Sequence, residues 1–556
     1  MFHPNQTGLG IIGTPDIDRG FKFMGAPVGS SEYQRVFMNK KLIQLKANNE
    51  VLRLVAKHDI QQFLIYFSSC RWHQSIGYYA RLLPPTIMEP ILIDYEDHMW
   101  KMLEDVMGNL DPFRRQWLSL SKKDQGLNLF NLVEFGRAGF IAATVEFQRY
   151  QQEANPTHVI QPTEECLVAL QSYVDSIGGW NKIPPEWSQG ENSTTTLFHS
   201  LVSLVQDKDS SIGLQHTLHS MNQQYTLEQC DLAAREQHPV IQQTYLSVRA
   251  AQSNGMIPFT VLPTGPKTTI PSAMMRVIFC KQYALPLEGI TPSTRCPGTN
   301  CRDKLDPTGA HLYNCKKIST LHGTDAYSRT QLHNDVAEAM ALICCNKYYN
   351  VVTNPKDQGS RPLLPNGVRG QLDIRYVHRQ IDGGETSLGD ISVCNPINAS
   401  VLRGDIRGQT PNSLLNNIRT KKQNKYQNAI REQLQDKALV VFPFTTHGQI
   451  GFELETLFSD VAGYVHSRNK AINKSLLIRR YRNDVLCTLH KGVARVLLAR
   501  MDLIRARTNQ FPQRGQNLLD IQNGLVDMEN FETPSQIIFR QVLDQLLLNH
   551  EDPDDT

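Results

Sequence analysis

Apolar positions in the first half of the chain recur at helical spacing. In SEYQRVFMNKKLIQLKANNEVLRLVAKH, Val36, Leu42, Leu45, Leu52 and Leu54 stand among solvated Lys and Arg, the pattern of an amphipathic helix. HDIQQFLIYFSSCRWHQSIGYYARLLPP continues it, with Asp59 placed to cap and Pro84–Pro85 placed to stop. The same reading predicts helical pieces over 89–108, 128–150, 164–176 and 193–206. Residues 22–290 therefore read as mainly α-helical, in one or two packed units.

Between 285 and 325 the texture changes: Pro, Gly, Asp and Asn rise, and cysteines and a histidine gather. A helix is predicted over about 328–345, then strands at YNVVTNP (349–355), QLDIRYVHR (371–379) and LGDISVCNP (388–396). QIDGGETS between the last two reads as a hairpin turn, because Gly383–Gly384 tolerates positive φ. A helix over 413–434 and a strand over 437–446 complete the order helix, strand, strand, strand, helix, strand. That is an α/β core, unlike the helical first half. Residues 454–509 read as helical and basic, and the closing EDPDDT as a disordered acidic tail. No internal repeat is found.

Composition narrows the picture. With 556 residues, 40% hydrophobic and 20% charged, the chain suits about three to five folding units and is neither wholly disordered nor collagen-like. A net charge of +3 announces no nucleic-acid partner by itself, so any basic surface must be local. No run of about 18 apolar residues predicts a membrane span. The first residues, MFHPNQTGLG, lack a basic stretch and an apolar core, so no secretory signal is read there. The 11 cysteines then read as reduced thiols or metal ligands in cytosol or nucleus, with no secretion expected.

Two groups of residues carry candidate chemistry. CPGTNCRDKLDPTGAHLYNC spaces Cys296-x4-Cys301-x9-His311-x3-Cys315. Four soft ligands in two close pairs suit a closed, structural tetrahedral Zn²⁺ site, and the polar loop between them has little else to bury. The competing reading is three unrelated cysteines and a surface histidine. The second group is Asp373 and Asp390, acids inside otherwise apolar strands, which a hairpin would bring to one Mg²⁺. An Arg375–Asp390 ion pair or solvation at a sheet edge would also explain them. Lys421, Lys422, Lys425 and Tyr426 lie on the following helix, where a solvated face is the plain alternative. Asp335 or Glu338 could add a third metal ligand, or simply face solvent.

These elements occur in an order that resembles the carboxy-terminal region of non-long-terminal-repeat retrotransposon proteins, those with a zinc knuckle and a restriction-like endonuclease. The resemblance runs through Cys296…Cys301, DPTGAHLYNC, His333–Asn334, LDI, GDISVCNP, KKQNKY and FPFTTHG. Upstream, FKFMGAPVGSSEY is similar to the stretch just after the reverse-transcriptase palm, with Gly25, Pro27, Gly29 and Ser30 carrying the match. GLNLFNLVEFGRAGFIAA, PFTVLPTGP and HKGVARVLLAR extend the likeness over about 21–500. The family's Arg-Pro-Asp is Gln371-Leu372-Asp373 here, the lysine usually two residues after the second acid is absent, and no Tyr/Phe-x-Asp-Asp motif occurs.

The resemblance implies an α+β multidomain chain: a flexible arm (1–20), thumb-like helices (21–150), a helical linker (151–290), the knuckle (291–320), the nuclease (321–450), a basic helical extension (451–545) and an acidic tail (546–556). It implies a DNA endonuclease without a polymerase palm. Asp373 and Asp390 would hold Mg²⁺, Lys422 or Lys425 would supply the amine, and Tyr426 would stand beside them. DNA, and element RNA as a second candidate, would be met by the knuckle, by His333 and Asn334, and by basic helices bearing Lys474, Arg479, Arg480, Arg482, Arg500, Arg505 and Arg507. Tyr481 is a candidate to stack on a base. Two rivals keep the scaffold without the chemistry: a nucleic-acid-binding remnant, and a structural or assembly protein. Salt-dependent binding separates the two.

Overall fold

The computed structural model describes residues 20–206, 213–298, 301, 303–318, 327–357, 360–365, 367–378, 384–397, 411–434 and 437–508. The expected arm up to residue 19, the end of the basic extension and the acidic tail lie outside these residues. The fold is mostly helical with small sheets. Backbone contacts divide it into two units: Met1–Leu54 with Phe63–Gln237, and Val55–Gln62 with His238–Thr556.

The first unit opens with a short hairpin inside the stretch expected to be mainly helical. Strands β1 (Gly20–Phe23) and β2 (Ala26–Gly29) pair antiparallel. Met24 and Gly25 join them with φ of 48° and 85°, the double positive φ that matches strand twist in a two-residue turn. Among the described residues ten helices follow, with 55–62 at the α1–α2 junction assigned to the second unit: α1 (Ser31–His58), α2 (Ile60–Tyr66), α3 (Gln74–Leu82), α4 (Pro85–Met107), α5 (Pro112–Ser119), α6 (Leu132–Ala154), α7 (Glu164–Ser176), α8 (Pro185–Ser188), α9 (Thr194–Gln206) and α10 (Leu214–Arg235). Pro84–Pro85 does more than stop α3, because Pro85 is the first residue of α4, where its missing N–H costs nothing. Asp111, Asn131 and Thr163 accept from backbone N–H groups at the starts of α5, α6 and α7, as capping side chains do. Ile141, Ala142 and Val145 of α6 pack on Leu170, Tyr173 and Val174 of α7 and on Phe198 and Leu201 of α9. Gly136 lets α6 approach α4: a Cβ there would lie 2.7 Å from Leu92 Cδ1.

The second unit holds α11 (Pro239–Ala250), α12 (Ile257–Thr260), α13 (Ser272–Gln282), α14 (Ala310–Asn314) and α15 (Arg329–Cys344). Then come β3 (Tyr349–Thr353), β4 (Ile374–Val377), β5 (Thr386–Cys394), α16 (Pro411–Gln433), β6 (Lys437–Thr445), α17 (Phe452–Arg468) and α18 (Lys474–Thr508). The sheet runs β3-β4-β5-β6. β3, β4 and β5 are antiparallel neighbours, whereas β6 lies parallel to β5 from Thr386↔Lys437 to Cys394↔Thr445. Parallel neighbours need a crossover, and α16 stands between them in the chain. It lays Tyr426, Ala429 and Ile430 against Leu372 and Leu388. Of the expected β4–β5 turn, 379–383 lie outside the described residues, and Gly384 has φ 68°.

Polar groups are also sealed inside this unit. Lys281 Nζ lies 3.0 Å from His447 Nε2, and His490 is buried beside this pair. Burial lowers Lys281 to about 7 and His490 to about 3, and lowers His447 well below its ordinary value.

Candidate functional site

The Cys/His cluster is built by short-range structure. An antiparallel bridge between Arg295 and Lys304 closes the first loop, and Cys296 N donates to Asp303 O at 3.0 Å. Gly298 N points at Cys296 Sγ from 3.4 Å. A side chain at Gly298 would crowd Lys317 and Cys301 at 3.1–3.3 Å, so the turn suits glycine. His311 lies on α14 and Cys315 ends it, which puts the two ligands one helical turn apart. Asp306 accepts from the N–H groups of Ala310 at 2.9 Å and His311 at 2.6 Å and fixes the start of that turn. Arg500, expected among the DNA-contacting cations, is buried instead and donates to Leu312 O and Tyr313 O at the end of α14. A cation there completes helix-end carbonyls and complements the dipole.

The four donor atoms lie within 4.8 Å of one another. Cys296 Sγ and Cys315 Sγ are 3.6 Å apart, and Cys301 Sγ and His311 Nε2 are 3.5 Å apart. A tetrahedron with zinc–sulfur bonds of about 2.3 Å has edges of about 3.8 Å, and a sulfur–nitrogen edge of about 3.6 Å. The donor set therefore fits Zn²⁺, and a disulfide at about 2.05 Å is excluded; every cysteine is a free thiol. His311 Nδ1 lies 3.9 Å from the exposed Asp303 carboxylate, an electrostatic neighbour beyond hydrogen-bond reach. Burial pushes the Cys296 thiol up to about 12, whereas a coordinated thiol is a thiolate. The cluster could hold a metal ion such as zinc.

The acidic site needs the whole sheet. β4 and β5 pair Ile374↔Gly389, and Asp373 N donates to Gly389 O at 2.8 Å. The ladder ends at that pair, so Asp373 stands just before β4, and the charge of its carboxyl is felt by Asp390 in β5. Both carboxyls are buried. Asp373 Oδ2 accepts from Ile391 N at 2.6 Å and lies 3.2 Å from His333 Nε2 of α15. Lys422 of α16, one turn before Tyr426, reaches Asp390, with Nζ 3.1 Å from Oδ1 and 2.8 Å from Oδ2. Only the Oδ1 contact has hydrogen-bond geometry; Oδ2 is buried with a cation near it and no hydrogen-bond donor.

The electrostatics follow from this packing. Burial raises the Asp390 pKa first; Lys422 pulls it down and Asp373 pushes it up, and the net shift is upward. Burial would lower His333, but the hydrogen bond and charge of Asp373 outweigh it and hold its pKa above 6.5. Tyr426 is pushed up to about 12, by burial first and then by Asp390.

Other expected site residues lie elsewhere. Arg375 pairs with Asp357 at 2.7 Å, so it is no partner of Asp390. Lys425 Nζ donates to Tyr426 OH at 2.8 Å, and Tyr426 OH donates to Gln371 O at 3.2 Å. Asp335 is taken by Tyr327 and faces Arg495 at 3.7 Å; Glu338 is exposed. His333 is turned into the carboxylate pair, whereas Asn334 is exposed and accepts from Asn354 at 3.4 Å. Among the basic positions, Lys474, Arg479 and Arg480 are exposed, Arg482 is held by Glu455 at 2.6 Å, and Arg505 by Asp502 at 2.9 Å. Tyr481 is buried and cannot stack on a base. The side chain of Arg507 lies outside the described residues. Sequence reasoning missed the inward role of His333, which only its distance to Asp373 reveals.

Among the described residues, no helix is long and apolar enough to cross a membrane. No protein-family model and no curated protein matches the chain.

Proposed function

We propose that this chain is a retroelement-derived, metal-dependent DNA endonuclease that nicks target DNA, with the Cys296–Cys301–His311–Cys315 cluster as its structural zinc site. The observation that carries this reading is the pair of buried carboxyls, Asp373 just before β4 and Asp390 within β5, with Lys422 2.8 Å from Asp390. The hard oxygen donors of Asp373 and Asp390 suit Mg²⁺; these two carboxyls would hold it, with Lys422 beside Asp390 Oδ2 at 2.8 Å. When bound, Mg²⁺ supplies a water of lowered pKa and a counter-charge for the phosphate. The chain supplies the rest. Lys422 offers a fixed positive charge where the phosphate oxygens gain charge. His333 and Ile391 N hold the Asp373 carboxylate in one orientation. Tyr426, through Gln371 O, anchors the segment that leads into Asp373.

A second reading, a catalytically inactive nucleic-acid-binding remnant, draws on two facts. Each carboxyl already has a basic side chain at ion-pair distance, and Ser392 stands two residues after Asp390 in place of lysine. Nicking of supercoiled plasmid in Mg²⁺ separates the readings. The nuclease requires that Asp390→Asn, which keeps the side-chain shape, cut at least about 100-fold more slowly than wild type. Equal nicking by both proteins, or none by either, leaves the remnant.

A further inference from the structure

We infer that a groove on the second unit, lined by Ser253, Asn254, Ser475, Arg479, Arg482 and Asn483, binds the phosphodiester backbone of a nucleic acid. This goes beyond the cleavage reading, since no residue of the carboxylate site takes part and binding here would persist in a protein that never cuts.

The groove encloses about 400 Å³ between the 253–261 segment and the first turns of α18, and no carboxylate lines it. Arg479 is exposed and has no hydrogen-bond or ion-pair partner among the described residues. Arg482 is fixed by Glu455 through Nε at 3.1 Å and Nη2 at 2.6 Å. Its Nη1 remains to donate, on a guanidinium that is already oriented. The side chains of Ser253, Asn254, Ser475 and Asn483 add hydroxyl and amide donors that have no partner among the described residues. Phosphate oxygens only accept hydrogen bonds, so a lining of cations and neutral donors without an acid is matched to them. Arginine adds a fork that can meet two phosphate oxygens at once.

A second cleft of about 830 Å³ lies against α17, but its lining includes Glu455 and Asp460 beside Lys347 and Arg468. Lys347 and Asp460 pair there at 2.8 Å. Lys474 also lines this cleft, but the cleft's two carboxylates would repel a polyanion, whereas no carboxylate lines the smaller groove. In the smaller groove Glu455 answers Arg482, and Arg479 supplies the unpaired positive charge.

The test measures anisotropy of a labelled 20-base-pair duplex of mixed sequence with the full chain in EDTA, where Mg²⁺-dependent cutting is suppressed. Arg479→Ala should weaken Kd about 5-fold or more at moderate salt, and reduce the slope of log affinity against log salt by about one. Arg479→Glu should weaken it further, while charge reversal at Lys101, exposed on α4, should leave Kd within about twofold. Unchanged affinity and slope in both Arg479 variants would overturn the groove, as would an equal loss from Lys101→Glu. Failure of plasmid nicking together with an Arg479-dependent Kd removes the nuclease reading and leaves the groove standing.

Discussion

The Cys/His cluster and the carboxylate–lysine cluster are both small polar sites of one unit, yet they are assembled over different distances. Cys296 and Cys315 are 19 positions apart, whereas His333 reaches β5 across 58 positions and Lys422 reaches Asp390 across 32. The first needs one bridge, one turn of helix and a glycine loop. Its segment buries little of its own, and the metal would supply the missing stabilisation. The second exists only after β4, β5, α15 and α16 have packed, and its charges are answered by one another. A locally assembled site would draw stability from an ion, whereas a site made by packing takes its geometry from the fold.

That contrast can be broken most sharply at the Cys/His cluster. Purified protein should carry about one zinc per chain by elemental analysis, and Cys301→Ser combined with Cys315→Ser should carry almost none. Hydrogen exchange should then speed up across 294–318 and stay slow in β5 and β6; unchanged zinc content would end the assignment.

Acid comes next in size. His490 is lowered to about 3 and His447 is lowered strongly, by burial first and by Lys281 second. Their folded pKa values lie below the unfolded 6.5, so the stability they contribute is present above pH 6.5 and is lost as pH falls toward about 3. Thermal melts should show the second unit weakening over that window, and His490→Phe should flatten the loss.

Lys422→Met should cost about 3 kcal/mol in denaturant titration, because it leaves the buried Asp390 carboxyl without its cation. Adding Asp390→Asn should recover most of that cost. Additive losses in the double variant would show that the pair is not coupled.

The smallest effect is at His333. His333→Ala should cost about 1 kcal/mol, since Asp373 keeps the Ile391 N–H. His333 is raised above 6.5 in the fold. Its contribution is therefore fully present below pH 6.5 and disappears as pH rises through its folded value, the opposite sign to His490. An NMR titration placing His333 below 6.5 would contradict the Asp373 contact.

Legibility followed the same division. Apolar period marked α1, α7 and α9 almost to the residue, and strand patterning marked β3, β5 and β6, because those signals sit in consecutive positions. The β1–β2 hairpin escaped notice: its strands are four residues each, too short for a period to register. β4 begins at Ile374 rather than at residue 371, because the ladder at Asp373 is held by single bonds to Gly389 and Asn354. Runs of arginine looked alike in the sequence, yet Arg500 ends α14 from inside, Arg482 is held by Glu455, and Arg479 alone faces the groove unpaired among the three.

The amino-acid order alone marked the mainly helical first half, the four strands of the small mixed sheet and the Cys/His cluster that could hold a metal, since periodicity, turn chemistry and close ligand spacing act over short stretches of chain. Which acid faces which cation, which tyrosine is buried and which arginine stays available were decided only by tertiary packing. Those outcomes depend on strand register and helix placement across dozens of residues, and a shift of one position would turn each side chain to the other face.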